Sequence, residues 1–255
     1  MRIDKYLFEK GYFQSRQSAK DHIEAGLVSV NGSTSVKPSL EVDDSSDIKV
    51  IGKLHEFVSR GGLKLKAAIE IFNVDIQNKI AVDIGASTGG FTDCLLQKGA
   101  SLVYSVDSGR DQLAKQLRED PRVRSFESTN ARYLTKDTFG IQFDIAVMDV
   151  SFISQTLLYT SVSNLLSDGG VFLSLVKPQF EVGKKNVGKG GIVKDASVFE
   201  AVFRNVCDKA FENGLVCKQI IGSPILGKDG NREFLAYFIK ENACELEYPE
   251  FPSKF

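Results

Sequence analysis

Val82-Asp83-Ile84-Gly85-Ala86-Ser87-Thr88-Gly89-Gly90-Phe91 is the stretch on which the fold turns. An apolar strand runs out at an acid, a glycine-rich turn follows, and helix-forming sequence resumes at Phe91. An α/β fold builds a nucleotide site in this way, at the carboxyl end of its first strand. Gly85 and Gly89 lack a Cβ, so the backbone can turn tightly and approach a ligand. The N–H groups at the start of the following helix can receive polar ligand atoms. The competing reading is a tight strand-to-helix turn with no ligand at all. A second acid, Asp107, ends the apolar run Leu102–Val106, where an acid commonly takes ribose hydroxyls. Two acids at two successive strand ends favour a nucleoside cofactor.

The glycine spacing is not the G-x-G-x-x-G of a dinucleotide site, which argues against a nicotinamide-dependent enzyme. It resembles motif I of the S-adenosylmethionine-dependent methyltransferases. That resemblance implies S-adenosylmethionine as cofactor, held by Asp83, Gly85, Ala86, Ser87, Thr88, Gly89, Gly90 and Phe91, with Asp107 on the ribose. Asn130 follows a third strand candidate, where the adenine edge would lie, and is the expected contact there.

Outward from this loop, apolar runs alternate with helical segments. Strands are expected at Ile80–Ile84, Leu102–Val106, Val123–Phe126, Asp144–Met148, Gly170–Val176, Val216–Ile221 and Glu233–Ile239. Helices are expected at Phe91–Lys98, Arg110–Arg118, Gln155–Leu166 and Ala196–Asn213. That rhythm reads as an α/β, doubly wound Rossmann-like domain with a mostly parallel seven-stranded sheet. The last two strands lack room for a helix between them, which suits an antiparallel hairpin.

The 255 residues carry 32 basic and 33 acidic side chains, so any basic surface must be local. Four scattered cysteines and two lone histidines give no metal-ligand spacing. Inert thiols in a reducing cytoplasm are the expectation. The charged start Met1-Arg2-Ile3-Asp4-Lys5 is no signal peptide, and no apolar run suits a membrane helix.

Residues 1–51 read as a small separate α+β domain, joined by a linker at 52–58 to a domain spanning 59–255. Asp4 is expected to cap one helix and Ser15 a second, which Gly26 ends. Strands follow at Leu27–Val30 and Ile48–Ile51, with an Asn31-Gly32 turn between. M-R-I-D-K-Y-L, S-R-Q-S-A and I-E-A-G-L-V-S-V-N-G resemble the RNA-binding module first described in ribosomal protein S-four. The resemblance implies that Arg2, Lys5, Arg16 and Lys20 face structured RNA, read through phosphates and shape. On charge alone these would read as a solvated helix face, and the full pattern with its V-N-G turn in register reverses that reading. Arg60 and Lys66, near the start of the second domain, could line a polyanion path.

Two candidates for chemistry stand at strand carboxyl ends, where open α/β sheets place their ligands. Asp149 ends Ile145–Met148, and Lys177 ends Val171–Val176 just before Pro178. The order Lys64, Asp149, Lys177, Glu233 resembles the tetrad of the FtsJ-like RNA ribose 2′-O-methyltransferases. S-R-G-G-L-K-L, M-D-V-S-F-I-S, L-V-K-P-Q-F-E and G-N-R-E-F resemble the TlyA family, in both domains. The family implies methylation of a cytidine 2′-hydroxyl in ribosomal RNA, with the large ribosomal subunit expected here because the chain begins at the RNA-binding module. Lys177 is then the general base or hydroxyl-orienting group, Lys64 positions substrate, and Asp149 and Glu233 are their partners. A ribose hydroxyl must lose a proton to attack, and oxygen, methyl and sulfur must align. A lysine serves as base only where its surroundings favour the neutral form. The segment Gly183–Gly191 reads as a solvated loop or as a lid that orders on RNA. Two other functions compete: a non-catalytic RNA-binding protein, and the pore-forming haemolysin whose label TlyA proteins have carried.

Overall fold

The computed structural model describes residues 1–13, 15–52, 56–183, 187–188, 191–193, 197–227 and 230–252. Most of the Gly183–Gly191 segment, linker residues 53–55 and the first residue of the 196–213 helix lie outside them. The chain divides into two compact units, Met1–Val58 and Ser59–Phe255.

The first unit packs helices α1 (Ile3–Glu9) and α2 (Arg16–Glu24) on a two-stranded sheet of β1 (Val28–Val30) and β2 (Ile48–Val50). Its core is Ile3, Leu7, Ala19, Ile23, Val28, Val30 and Val42. Ser15 caps α2, its side chain accepting from the Ser18 amide at 3.1 Å. Asp4 does not cap α1. Arg2 occupies that position, and Asp4 lies inside the first turn, drawn in by two guanidinium groups. Arg2 and Arg16 pair with its carboxylate at 3.1 and 2.9 Å, which ties the two helices together. Asn31 and Gly32, both at positive φ, make the two-residue turn that brings Ser33 back to Val30.

In the second unit α3 (Gly61–Ile71) precedes β3 (Ile80–Ile84), α4 (Gly90–Gln97), β4 (Leu102–Val106), the short α5 (Lys115–Arg118) and β5 (Val123–Phe126). Then come α6 (Lys136–Phe139), β6 (Phe143–Met148), α7 (Tyr159–Leu165), β7 (Leu166–Val176), α8 (Pro178–Glu181), α9 (Ser197–Phe211), β8 (Leu215–Gly222) and β9 (Phe234–Lys240). The sheet order is β5-β4-β3-β6-β7-β9-β8. All pairs are parallel except those made by β9, which inserts between β7 and β8 and runs against both. The closing hairpin therefore fills the sheet interior with its last strand and leaves β8 at the edge. Strands buried on both faces read as nearly continuous apolar runs, as β3 and β6 do. Asp144 is the polar exception in β6, and its carboxylate accepts the Ile80 amide at 2.8 Å.

One expected helix is largely missing. Only Lys115–Arg118 of the 110–118 segment is helical. Glu127, just past β5, accepts the amides of Asp111, Gln112 and Leu113 at 2.7, 3.0 and 3.3 Å. Amides held by that carboxylate are not in a helical ladder, and Asp111 takes a positive φ of 54°. The 155–166 segment is likewise divided: a 3-10 turn at Gln155–Leu158, then α7, with Leu166 already in β7.

The order reverses at β3. The chain builds outward through β4 and β5, then returns to place β6 on the other side. Ligands in open α/β sheets bind at such a switch point, outside the strand carboxyl ends. Gly85 and Asp149 leave β3 and β6 side by side there.

Candidate active site

A cavity of about 500 Å³ opens at this switch point. That is within the range of small-molecule sites, ~300–1,000 Å³. Its lining comes from the start of α3, the glycine loop, the ends of β6 and β7, and the segment before β9. All four residues of the expected tetrad face it.

They form two lysine–carboxylate pairs. Lys64, from α3, donates to Glu233 Oε2, and both side chains are buried. Lys177, directly after β7 and at the N-cap of α8, lies 2.5 Å from Asp149 Oδ1. Its Nζ also donates to Ser151 Oγ at 2.8 Å. Pro178 at the first position of α8 needs no amide partner and turns the chain directly after Lys177. Buried charges persist only when paired, and each lysine here has its own acid.

Gly85, Ala86, Ser87, Thr88, Gly90 and Phe91 line the same cavity. Gly85 has φ +83°, and a Cβ on it would sit 2.6 Å from the Asp149 carbonyl oxygen. Gly89 does not line the cavity. It caps α4 at φ +95°, and a Cβ there would strike Leu117 at 2.3 Å. Both glycines are therefore demanded by neighbouring protein, whereas the sequence suggests a ligand's approach as the reason.

Asp83 departs further from expectation. Its side chain is wholly buried and does not reach the cavity. Thr92 Oγ1 donates to its Oδ2 at 2.7 Å, and Ser105 donates to Thr92 in turn at 2.7 Å. Its other oxygen has no partner among the described residues. Burial pushes the carboxyl up to about 7, with the Thr92 hydrogen bond opposing. Asp107 lies near the loop but outside the cavity lining. Its two oxygens accept the Ser87 and Gly109 amides at 2.7 and 2.6 Å, which fastens the glycine loop to the end of β4. Asn130 is exposed, and its side chain caps a 3-10 turn by accepting the Arg132 amide at 3.0 Å.

Among the basic candidates, Arg60 lines the cavity and Lys66 does not. Residues two apart on a helix point to different sides, so Lys66 cannot share the face of Lys64. In the first unit Arg2 and Arg16 are half-exposed despite holding Asp4. Burial opposes ionisation of Asp4, but hydrogen bonds from Arg16 and Arg2 more than offset it and hold the carboxyl below its usual range. Lys5 and Lys20 reach Glu9 and Glu24 one turn on, at 3.5 and 3.6 Å.

Several cavity residues are not singled out by the sequence, though most lie inside its recognisable motifs. Ser151 and Phe152 follow Asp149, and Gln179 and Phe180 follow Lys177. Phe152 is 92 % exposed and has φ +65°, an uncommon conformation for a bulky side chain. Its ring packs tilted on Phe180, centroids 5.4 Å apart. Glu181 accepts Ser154 Oγ at 2.5 Å and the Gln155 amide at 3.0 Å, joining α8 to the loop after β6. Burial raises the Glu181 carboxyl despite those hydrogen bonds. Asn231 donates to Gly191 O and accepts the Val193 amide.

Residues 57–240 match the family described as FtsJ-like methyltransferase, and residues 1–48 match the S4 domain. TlyA of Mycobacterium tuberculosis, named a 16S/23S rRNA (cytidine-2′-O)-methyltransferase, is 40 % identical over 92 % of this chain and 88 % of its own. The chain belongs to the TlyA family. Another relative, Hemolysin A of Brachyspira hyodysenteriae, is 42 % identical over 94 % of this chain and all of its own. A solved structure titled "Putative hemolysin from Streptococcus thermophilus" superposes with a TM-score of 0.75 at 44 % identity, covering 95 % of this chain and 89 % of that one. Both architectural parts of the TlyA family, an S4 domain and an FtsJ-like domain, are thus present here. Among the described residues no helix is long and apolar enough to cross a membrane.

Proposed function

We propose that this protein methylates the 2′-hydroxyl of a cytidine ribose in ribosomal RNA, with large-subunit RNA as its substrate and S-adenosylmethionine as its cofactor. The observation that carries this reading is the pair of lysine–carboxylate contacts, the buried Lys64–Glu233 and the partly buried Lys177–Asp149, on the cavity that the glycine loop also lines. The family match supplies the reaction class, and the name of the mycobacterial relative supplies the cytidine and the ribosomal RNA.

The cofactor fits the residues present: Gly85–Thr88, Gly90 and Phe91 would hold it in a cavity of suitable size. When bound, it supplies an electrophilic methyl group. The protein must then place the hydroxyl and deal with its proton. A neutral lysine amine has two N–H donors and one lone pair. Acting as base in that form, Lys177 turns its donors to Asp149 and Ser151, which leaves the lone pair for the ribose hydroxyl. Lys177 Nζ receives the proton as the hydroxyl loses it, and Asp149 stabilises the ammonium that results. Lys64, steadied by Glu233, and the exposed Arg60 position the phosphodiester chain beside it. Phe152, held open on the cavity rim against Phe180, offers a stacking face to an unstacked base. The S4 unit supplies a second hold on folded RNA, through Arg2, Lys5, Arg16 and Lys20. A cytoplasmic location goes with this substrate.

Methylation of large and small ribosomal subunits from cells lacking the enzyme tests the reading. Lys177→Ala should lower kcat on large subunits by about 10²–10⁴, the usual weight of a positioned proton acceptor. Calorimetry should show S-adenosylmethionine affinity unchanged. Near wild-type methylation by a folded Lys177→Ala variant refutes the mechanism. Ribose methylation confined to the small subunit refutes the substrate.

A further inference from the structure

Four of the five charged groups on the described lining of the cavity are spoken for. Asp149 and Glu233 hold the lysines, Ser151 accepts from Lys177, and Asn231 holds backbone groups at Gly191 and Val193. Gln179 differs. Its Oε1 is shielded from solvent and has no hydrogen-bond partner among the described residues, although the residue lines the cavity. A shielded, unpaired acceptor is costly, and a ligand that brings an N–H to it recovers that cost. Gln179 stands two residues beyond Lys177 and directly before Phe180, against which the exposed Phe152 packs. The group that handles the ribose and the rings that flank the base therefore bracket this one acceptor.

We propose that Gln179 reads the base of the target nucleotide, its Oε1 accepting from the exocyclic amine of cytosine. The inference rests on the ribose-methylation reading above. Cytosine presents an N4 amine on its pairing edge, whereas uracil presents an O4 acceptor in the same place. Opposite Gln179 Oε1, uracil would set acceptor against acceptor and leave both unpaired. Sites built to hydrogen-bond one partner reject the analogue that cannot, far more strongly than apolar pockets do. The same side chain lies too close in sequence to Lys177 for base and ribose to be placed independently. A base that fails to pair at Gln179 leaves its 2′-hydroxyl poorly presented to Nζ.

The test uses large subunits assembled in cells from plasmid-borne ribosomal RNA, carrying either cytidine or uridine at the mapped methylation site. The full-length enzyme and Gln179→Met, which keeps the shape and removes the acceptor, are compared for kcat/KM. The wild type should prefer cytidine by at least tenfold. Gln179→Met should narrow that ratio by at least tenfold, mainly by losing rate on cytidine. Its S-adenosylmethionine affinity, by calorimetry, should stay within twofold, a result that a merely structural loss would not give. Gln179→Asn, which keeps an amide on a shorter arm, should restore part of the preference. An unchanged cytidine-to-uridine ratio in Gln179→Met overturns the proposal, as does a tenfold loss of cofactor affinity, which would make Gln179 a cofactor ligand. A wild type without base preference overturns it too. A wild type that methylates no ribosomal ribose overturns both this and the underlying reading.

Discussion

At the scale of single residues, the acid of the glycine-loop motif behaves unlike a surface carboxylate. Asp83 is sealed beneath the loop, and burial raises its carboxyl to about 7. In the unfolded chain the same group titrates near 3.9. Below about pH 4 both states hold the proton. Between about 4 and 7 only the folded state does, so stability falls as pH rises through that window. The full swing is of order 4 kcal/mol, from ~1.4 kcal/mol per unit. Asp83→Asn should flatten the dependence of Tm on pH between 5 and 8, and should exceed the wild type in stability at pH 8. Parallel pH profiles for the two proteins would show that the carboxyl is not the buried, proton-holding group described here.

At the scale of elements, the loop between β4 and α5 is held by acids on either side of it. Glu127 takes three successive amides at 111–113, and Asp107 takes those of Ser87 and Gly109. Burial opposes ionisation of Glu127, but the three amides outweigh it and hold the carboxyl below its usual range. Glu127→Ala should cost about 1 kcal/mol by thermal denaturation, because water can replace a carboxylate on exposed amides. It should weaken S-adenosylmethionine binding several-fold, because the loop that Asp107 fastens to Ser87 loses its anchor. Unchanged affinity in calorimetry would separate this loop from the cofactor site. The same acid shows what a sequence does and does not disclose. The seven strands of the large sheet were legible: the inner ones are largely apolar runs with turn residues at their ends, and the edge strands β5 and β8 fall where the alternation of strands and helices requires them. Residues 110–114 have helix-forming composition, and nothing local signals that a carboxylate 14 to 16 positions away claims the amides at 111–113. The tetrad was legible as a set only through resemblance, since Lys64 and Glu233 lie far apart in sequence and meet through the fold. Ser151, Phe152 and Gln179 stand in the family motifs yet look unremarkable as letters. What marks them is a hydrogen bond, a positive φ and an oxygen without a partner among the described residues.

At the scale of the whole molecule, each unit has its own core, and the proposed chemistry lies entirely within residues 59–255. A protein starting at Ser59 should fold, bind S-adenosylmethionine with near wild-type affinity, and lose at least tenfold in kcat/KM on ribosomal subunits through KM. Binding of the full protein to subunits should weaken linearly in log–log terms with salt. Arg16→Ala should make that slope shallower by a little under one for each phosphate left without its cation. Undiminished kcat/KM in the shortened protein would deny the first unit a part in RNA capture. A final consequence concerns ancestry. Gly85 and Gly89 are fixed by the Asp149 carbonyl and by Leu117, neighbours the domain needs whether or not it transfers anything. A descendant that dropped its lysines and kept only the ability to cling to the ribosome would still carry the glycine signature intact. In any survey of genomes, that signature therefore counts folds. Enzymes are counted by the two lysines and their acids.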